Sequence, residues 1–302
     1  MLKWYGQSEG FLSVHAPVMT SNDCEGTGQA FRVASIPADP SKAVSSSPPG
    51  VNSTPEIPHT FLTTSTQLHL EALTSSFSRV YTIAPSFRAE HSQTNRHLNE
   101  FYMVEAEMSF LHTGVHGVCD VVEASIKSVL RRLAEDEDVK FLHGEGDSTP
   151  LRRNLKAWLD ASIPWRRITY SDALKALQAH HASGAAPQFN LDPPTWGDAL
   201  RSEHERWIAD SLSRNEDKTH FGGPVFVTDY PRQLKPFYMW VNDEYNEGEE
   251  GGARSTVACF DLLVPKLGEL TGGSLRESRI DRLKESLSFH GMDEVSARLC
   301  LS

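Results

Sequence analysis

The chain lacks any hydrophobic run long enough to cross a membrane. Its 302 residues contain no stretch of about 18 or more consecutive apolar residues, which is the length that marks a membrane-spanning helix. The first residues have neither the apolar core of a signal peptide nor the Arg-rich composition of a transit peptide. These absences predict a protein without membrane segments, and any targeting sequence is expected to lie outside this chain.

Cysteine is scarce as well. The four cysteines stand far apart, with neither Cys-x-x-Cys spacing nor a histidine at zinc-ligand spacing; they are Cys24, Cys119, Cys259 and Cys300. Structural zinc sites and disulfide-rich folds both need closely spaced cysteines. We therefore expect reduced, mostly buried thiols and a reducing compartment.

Net positive charge is also missing. The chain has 29 Lys and Arg against 40 Asp and Glu, a formal net charge of -11. Broad capture of nucleic acid needs clustered Lys and Arg, so we expect any nucleic-acid contact to be local. Three arginine pairs are candidates, with a solvated mixed-charge surface as the alternative for each: Arg131-Arg132, Arg152-Arg153 and Arg166-Arg167.

The order of predicted elements indicates the fold class. A hydrophobic content of 39% allows a sizeable core. Helical periodicity predicts a helix over Val115–Leu133, and a helical, loop-rich span follows at about 136–220, with Ser171 as a helix N-cap. Strands are expected on both sides of this span, and those after it include Val225–Val227 and Val257–Phe260. This order favours an α+β fold with an antiparallel sheet over a doubly wound one.

A predicted hairpin of charged and aromatic residues is the most informative segment. β-Branched and aromatic residues on both sides of a polar connection at 91–95 predict two antiparallel strands. An arginine fork beside a flat ring suits a nucleotide, whereas a salt-bridged solvent-exposed face is the alternative. The residues that strand alternation places on shared faces are Arg88 with Glu90, and Phe101 with Met103, Glu105 and Glu107.

This hairpin resembles motif 2 of the class II aminoacyl-tRNA synthetases, in the wording of their asparaginyl branch. Phe-Arg-Ala-Glu at 87–90 precedes Arg-His-Leu-x-Glu-Phe at 96–101 and Glu-x-Glu at 105–107. The resemblance extends to about Val295, and the sequence is similar to the mitochondrial type of this branch. Other agreeing segments are 10–26, like the end of motif 1 and an asparaginyl signature, 61–71, like a substrate-binding segment, and 196–239 and 261–277.

The resemblance implies a fold, an activity and partners. The implied fold is a class II antiparallel sheet flanked by helices, in a catalytic domain at 1–302 with a helical insertion at 136–220. The implied activity is ATP-dependent activation of asparagine to the adenylate, followed by transfer to the acceptor end of tRNA(Asn). The family forms homodimers through motif 1, here with residues such as Phe11 and Pro17. The mitochondrial matrix is the implied location, with the cytoplasm as the alternative.

The resemblance also implies an ATP site with Mg²⁺. Arg88 is expected on the α-phosphate, and Phe101 is expected to stack on adenine. Glu269 and Asp261 are the expected Mg²⁺ ligands, with a salt bridge or a strand-end cap as the alternative role. Arg88 and Glu269 are the implied catalytic residues. The remaining ATP-binding residues are Glu90, near the adenine amino group or the tRNA end, and Arg96 and His97, near the terminal phosphates.

A second implied set of residues binds asparagine. The amide of asparagine presents one acceptor and two donors, so an Arg donor and a carboxylate facing it are complementary. Related aspartyl enzymes place a Lys near the position of Leu70, and its absence agrees with a neutral substrate. The implied residues are Glu25, Ser65 and Gln67 for the α-amino group, Arg276 and Glu105 for the side chain, and also Ser274.

Two family features are missing from the sequence, which begins at Met1 close to motif 1. One is the N-terminal OB-fold that reads the anticodon, and the other is motif 3, whose arginine holds the ATP γ-phosphate. We therefore expect a truncated catalytic domain. Two alternatives stay open: a catalytically inactive dimerisation or binding module, and an enzyme that makes free asparagine from aspartate, which the mitochondrial wording disfavours.

Overall fold

The computed structural model describes residues 8–21, 30–33, 60–89, 98–110, 112–139, 150–160, 164–213, 222–242 and 255–292. The chain forms two compact units, Gly6–Phe110 and Leu111–Ser302. This division lies at a different place from the predicted insertion at 136–220, which stays a prediction.

Four short strands open the smaller unit. They are β1 (Leu12–Ser13), β2 (Met19–Thr20), β3 (Arg32–Val33) and β4 (Thr60–Leu62). Strand β4 lies between β2 and β3 and is antiparallel to both. This small sheet leads directly into the only described helix of the unit.

A helix and a long hairpin complete the smaller unit. Helix α1 (Gln67–Phe77) is followed by β5 (Arg79–Phe87) and β6 (Glu100–Met108), which pair in antiparallel, while β1 pairs with β5 in parallel. On β6, Phe101, Met103, Glu105 and Glu107 are half-buried, whereas Tyr102 and Val104 on the opposite face are 76% and 47% exposed. The predicted hairpin and its alternation are confirmed.

The larger unit is built on a four-stranded sheet of order β10-β9-β8-β7. Its strands are β7 (Arg166–Thr169), β8 (Val225–Pro231), β9 (Thr256–Val264) and β10 (Gly268–Ser274). Strand β7 pairs with β8 in parallel, and the other pairs are antiparallel. The strands predicted at Val225–Val227 and Val257–Phe260 are confirmed. Strand β7 was not predicted, and it lies within the span expected to be helical and loop-rich.

Helices cover both faces of this sheet. They are α2 (Val115–Glu135), α3 (Pro150–Leu159), α4 (Tyr170–Ser183), α5 (Ser202–Ser211) and α6 (Ile280–Phe289). Side chains of α2 pack against Phe226 and Phe260, and side chains of α4 and α5 pack against Val225 and Val227. The helix predicted at Val115–Leu133 is confirmed. Among the described residues, no helix has the length and apolar character needed to cross a membrane.

The start of α4 corrects one prediction. Thr169, not Ser171, is the N-cap: its backbone is extended, and its hydroxyl accepts a hydrogen bond from the Asp172 N–H at 3.1 Å. An N-cap needs a non-helical residue whose oxygen reaches the first-turn amides, and the end of β7 provides it. Ser171 therefore lies inside the helix.

Arg167, of the Arg166-Arg167 pair, corrects another prediction, that of a solvated mixed-charge surface. Arg167 donates to Asp120 at 2.5 Å and to the His116 carbonyl at 3.2 Å, and its guanidinium lies 5.7 Å from the Phe226 ring centre. Its side chain is only 22% exposed. A solvated surface is therefore wrong for Arg167, which ties β7 to α2.

A buried ion pair joins α2 to the segment before β7. Lys127 and Glu123 are 5% and 7% exposed, and Lys127 Nζ lies 2.6 Å from Glu123 Oε1. The same carboxylate oxygen accepts the Trp165 N–H at 3.1 Å, and Lys127 donates to the Asp160 carbonyl at 3.2 Å. Each charge thus has partners outside its own helix.

We expect Lys127→Met to lower the free energy of unfolding by about 3 kcal/mol, because it removes the nearest cation from the buried Glu123 carboxylate and leaves it with the more distant Arg167 Nη2 at 3.9 Å. Urea unfolding followed by circular dichroism measures this. The control is Lys175→Met, which removes a lysine from an exposed pair with Asp172 at 3.4 Å and should change stability by less than about 0.5 kcal/mol. Equal effects of the two variants would contradict the role given to the buried pair.

Candidate functional site

The carboxylate of Glu105 lies at the N-terminal end of α1. The Thr66 N–H lies 3.1 Å and 3.0 Å from its two oxygens, and the hydroxyls of Ser65 and Thr66 also donate to them. A helix N-terminus favours negative charge and offers unpaired N–H donors. Strand β6 and helix α1 therefore bring two predicted asparagine-binding residues, Ser65 and Glu105, into contact.

Gln67 and Leu70 belong to the first turn of the same helix. The Gln67 N–H donates to Ser65 Oγ at 3.1 Å, and its side-chain amide donates to Glu71 at 2.9 Å. Leu70 is completely buried, one turn after Thr66. The predicted residues Ser65, Gln67 and Glu105 thus form one cluster.

Arg88 and Phe101 form the second cluster of the smaller unit. The Arg88 guanidinium lies 5.6 Å from the centre of the Phe101 ring, within cation–π range. The Arg88 N–H donates to the Asn99 carbonyl at 3.0 Å, which extends the hairpin beyond β5. The structure therefore brings together the arginine and the ring that the sequence predicts for ATP. Glu25, Glu90, Arg96 and His97 lie outside the described residues.

Two predicted metal ligands of the larger unit converge on one glycine. Gly272 on β10 is paired with Asp261 on β9, and an irregularity between Glu269 and Thr271 shifts the register of β10. A Cβ atom on Gly272 would lie 3.1 Å from Asp261 Oδ1 and 3.5 Å from Glu269 Oε1. The described residues contain no cluster of three or more His, Cys, Asp or Glu side chains that could hold a metal. A cation here would have two carboxylates and would need water or a ligand for its other positions.

The neighbouring Gly273 has a packing role. A Cβ atom there would lie 2.7 Å from the Phe260 ring, which is 1% exposed. The strand irregularity lies at Leu270, before the two glycines. Of the pair, only Gly272 borders charged groups.

Lys235 is a residue of this region that the sequence analysis did not single out. Its Nζ lies 2.7 Å from both carboxylate oxygens of Asp261 and 4.1 Å from the centre of the Tyr230 ring. Burial alone would lower the pKa of Lys235, but the Asp261 charge outweighs it and raises that pKa above 10.5. The resemblance includes the segment Lys235–Met239 without giving the lysine a role, and no spacing rule connects Lys235 with Asp261.

Arg276 and Ser274 lie together just past and at the end of β10. Arg276 Nη1 donates to Ser274 Oγ at 2.6 Å, and its guanidinium lies 4.9 Å from the centre of the Tyr238 ring. Arg276 also forms an isolated antiparallel bridge with Met239. These contacts bring together the two predicted asparagine-binding residues of the larger unit.

A buried carboxylate fixes the backbone next to Arg276. Glu277 accepts hydrogen bonds from Arg279 Nε and Nη2, each at 2.8 Å, and from the Val241 N–H at 3.1 Å. Burial alone would raise the pKa of Glu277, but the hydrogen bonds from Arg279 and Val241 outweigh it, so that pKa lies below 4.5. The arginine and the backbone amide hold Glu277 ionised.

Comparisons with known proteins agree on one family. The family model for tRNA synthetases class II (D, K and N) matches residues 2–299. The chain is 37% identical over 302 residues to the mitochondrial asparagine–tRNA ligase of Saccharomyces cerevisiae, covering 96% of this chain and 55% of that protein. It is 39% identical over 290 residues to the asparagine–tRNA ligase of Nostoc sp., covering 95% and 56%. The chain thus spans about half the length of these relatives.

A solved structure shows the same fold. The crystal structure of asparaginyl-tRNA synthetase from Pyrococcus horikoshii, complexed with asparaginyl-adenylate, matches with a TM-score of 0.72 at 25% identity. The match covers 99% of this chain and 56% of that one. The predicted α+β fold with antiparallel sheets and flanking helices is confirmed.

The low pKa of Glu277 leads us to expect a pH-dependent contribution to stability. The pKa of Glu277 in the folded chain lies below the usual 4.5. At pH values between these two pKa values, the unfolded chain therefore binds more protons than the folded chain. The contribution is therefore complete above about pH 4.5 and is lost as the pH falls through the folded pKa. Glu277→Gln should therefore reduce the fall in the free energy of unfolding at acid pH, measured by urea unfolding from about pH 3 to pH 7. Arg279→Gln should do the same, because it removes the donors to Glu277. The same fall in both variants as in the wild type would contradict the assignment.

Proposed function

The chain belongs to the class II tRNA synthetases (D, K and N), and on this premise we propose that it is the catalytic region of an asparagine–tRNA ligase. The proposed reaction joins asparagine to ATP as the adenylate, with release of pyrophosphate, and then transfers the asparaginyl group to the acceptor end of tRNA(Asn). The observation that carries the proposal is the identity of 37% and 39% to asparagine–tRNA ligases over almost the whole chain.

The proposed chemistry needs no protein nucleophile. The carboxylate of asparagine attacks the α-phosphorus and pyrophosphate leaves; a ribose hydroxyl of the terminal tRNA adenosine then attacks the carbonyl carbon and AMP leaves. Such a reaction depends on positioning and on neutralising charge at the phosphorus oxygens. We assign the α-phosphate to Arg88 and the adenine ring to Phe101, which lie in contact. The roles of Glu90, Arg96, His97 and Glu25 rest on the resemblance.

The preference for asparagine is proposed to come from charge. The resemblance assigns Arg276 to the amide oxygen and Glu105 to the amide nitrogen, and the carboxylate of aspartate would be a like charge to Glu105. Ser65 and Thr66 hold the Glu105 carboxylate in place before substrate arrives. Each carboxylate oxygen has about two acceptor positions, so Glu105 keeps the capacity to accept from an amide.

Asp261 and Glu269 are proposed to hold Mg²⁺. The fit rests on the convergence of their oxygens beside Gly272, where a Cβ atom would fill the space. Two carboxylates completed by water and phosphate oxygens are the usual surroundings of Mg²⁺ beside a nucleotide. When bound, the ion would neutralise charge on the phosphate oxygens.

A homodimer through motif 1 is also proposed. Phe11 is 5% exposed and lies under the Arg79 guanidinium, so it packs within its own unit, whereas Pro17 is exposed. We therefore assign Pro17 to the interface, together with Leu12 and Met19, which are 46% and 61% exposed. Light scattering measures the mass, and a monomer at all concentrations would count against the dimer.

A location in the mitochondrial matrix is proposed from the S. cerevisiae relative, which is named mitochondrial. The Nostoc relative carries no such word in its name, so the cytoplasm is the alternative. Fractionation of cells that express the tagged full-length protein would distinguish the two.

We expect Arg88→Ala to lower asparagine-dependent exchange of pyrophosphate into ATP by about 100-fold or more, because it removes a fixed positive charge from the transition state. Arg79→Ala is the matched control: Arg79 begins the same strand, is exposed and contacts Phe11. It should leave exchange near the wild-type rate.

The same assay tests the proposed function. Exchange supported by aspartate and not by asparagine would contradict the amino-acid assignment. A folded wild-type chain without exchange would support the alternative of a catalytically inactive binding module.

Two neighbouring aromatic residues on β6, Phe101 and Tyr102, allow a test of the proposed stacking of Phe101 on adenine. Phe101→Ala should raise the KM for ATP about tenfold, since stacking on a base contributes about 1–3 kcal/mol. Tyr102→Ala should leave KM unchanged, because Tyr102 lies on the opposite face and is 76% exposed. Steady-state exchange kinetics measure both, and equal changes in KM would refute the assignment.

A further inference from the structure

The ion pair between Lys235 and Asp261 is nearly enclosed. The two side chains are 16% and 13% exposed, and both Asp261 oxygens lie 2.7 Å from Nζ. The ammonium group also lies over the ring of Tyr230, which is 4% exposed. Such a pair is shielded from solvent, so its attraction is stronger than that of a surface pair.

The chain geometry brings the lysine back to the sheet. Strand β8 ends at Pro231, and one short 3₁₀ turn at Arg232–Leu234 reverses the chain before Lys235. The His290 ring contacts the Lys235 carbonyl at 3.0 Å, which fixes the backbone at this point. The ammonium group therefore reaches Asp261 from a held backbone position.

The carboxylate that Lys235 contacts is the one that borders Gly272 and Glu269. We propose that Lys235 is a positioning residue that acts as the internal counter-ion of Asp261, and that its ammonium group opposes the binding of a divalent cation to the same carboxylate by charge repulsion. The inference rests on the proposed Mg²⁺ site. Both Asp261 oxygens already lie against Nζ, so a cation bound by this carboxylate would have the ammonium group as a close neighbour.

Charge repulsion gives the direction of the effect. An ammonium group and a divalent cation on one carboxylate repel each other, and because the site is nearly enclosed, solvent screens this repulsion less than it would at the surface. Lys235 therefore weakens cation binding to the empty site. The phosphates of a nucleotide supply the negative charge that lets both positive groups stay, so the site takes up the cation together with a polyphosphate.

The test is the affinity of the whole chain for Mn²⁺, measured by electron paramagnetic resonance without nucleotide. Lys235→Met keeps an unbranched side chain and removes the charge, and we expect it to bind Mn²⁺ about tenfold more tightly than wild type. Lys235→Gln is the second variant if the first does not fold. Lys175→Met, which removes an exposed lysine of the same unit, should leave the affinity unchanged.

A purely structural salt bridge would give the opposite result, because its loss disorders Asp261 and weakens binding. Unchanged or weaker binding in Lys235→Met and Lys235→Gln would overturn the inference. If the inference fails in this way but Asp261→Asn abolishes Mn²⁺ binding, the proposed Mg²⁺ site is retained and only the role given to Lys235 is rejected. If neither wild type nor the Lys235 variants bind Mn²⁺ in a manner that depends on Asp261, both the site and the inference fail.

Discussion

Buried carboxylates impose the main constraint on this structure. An ionised carboxylate costs several kcal/mol to remove from water unless fixed donors replace the lost hydration. Four described carboxylates, of which Glu105 is half-buried and the others are buried, each have at least one donor from outside their own strand or helix. The four carboxylates and their main partners are Glu105 with Ser65 and Thr66, Glu123 with Lys127 and Trp165, Asp261 with Lys235, and Glu277 with Arg279 and Val241. Helix starts and strand ends must therefore meet these positions.

The chemical nature of the donor distinguishes a carboxylate whose partner is fixed from one whose partner can move. Glu277 is held by a planar guanidinium and a backbone amide, which together leave it little freedom. Asp261 is held by a lysine, a point charge on a flexible stem that can move away without disrupting the sheet. A carboxylate that accepts a cation, as proposed for Asp261, is better served by the second kind of partner. The difference between Arg279 and Lys235 thus follows the difference in task.

Local patterns made part of this predictable from the sequence. The β5–β6 hairpin, helix α2 and the two central strands β8 and β9 follow from alternation and periodicity, and the contact of Arg88 with Phe101 follows from motif 2. Strand β7 was missed because its four residues pair with β8 in parallel across about 60 residues of chain, and two arginines gave it the appearance of a surface. Lys235 was missed for the same reason, since a contact 26 residues away leaves no local pattern. These features depend on pairing between residues far apart in the chain, and such pairing leaves no local pattern in the sequence.

The position of Leu70 bears on the proposed preference for a neutral substrate. The Leu70 N–H bonds to the Thr66 carbonyl, so Leu70 lies one turn beyond the residue whose amide holds Glu105. The resemblance places a lysine near this position in related aspartyl enzymes, and an ammonium group that reached the Glu105 carboxylate would neutralise it. Glu105 would then no longer repel an acidic substrate, and the lysine would attract one. With a fully buried leucine there, the partners of Glu105 among the described residues are neutral donors, which suits the proposed amide substrate and disfavours a carboxylate. The preference for asparagine would thus depend on what is absent near Glu105 as much as on Glu105 itself.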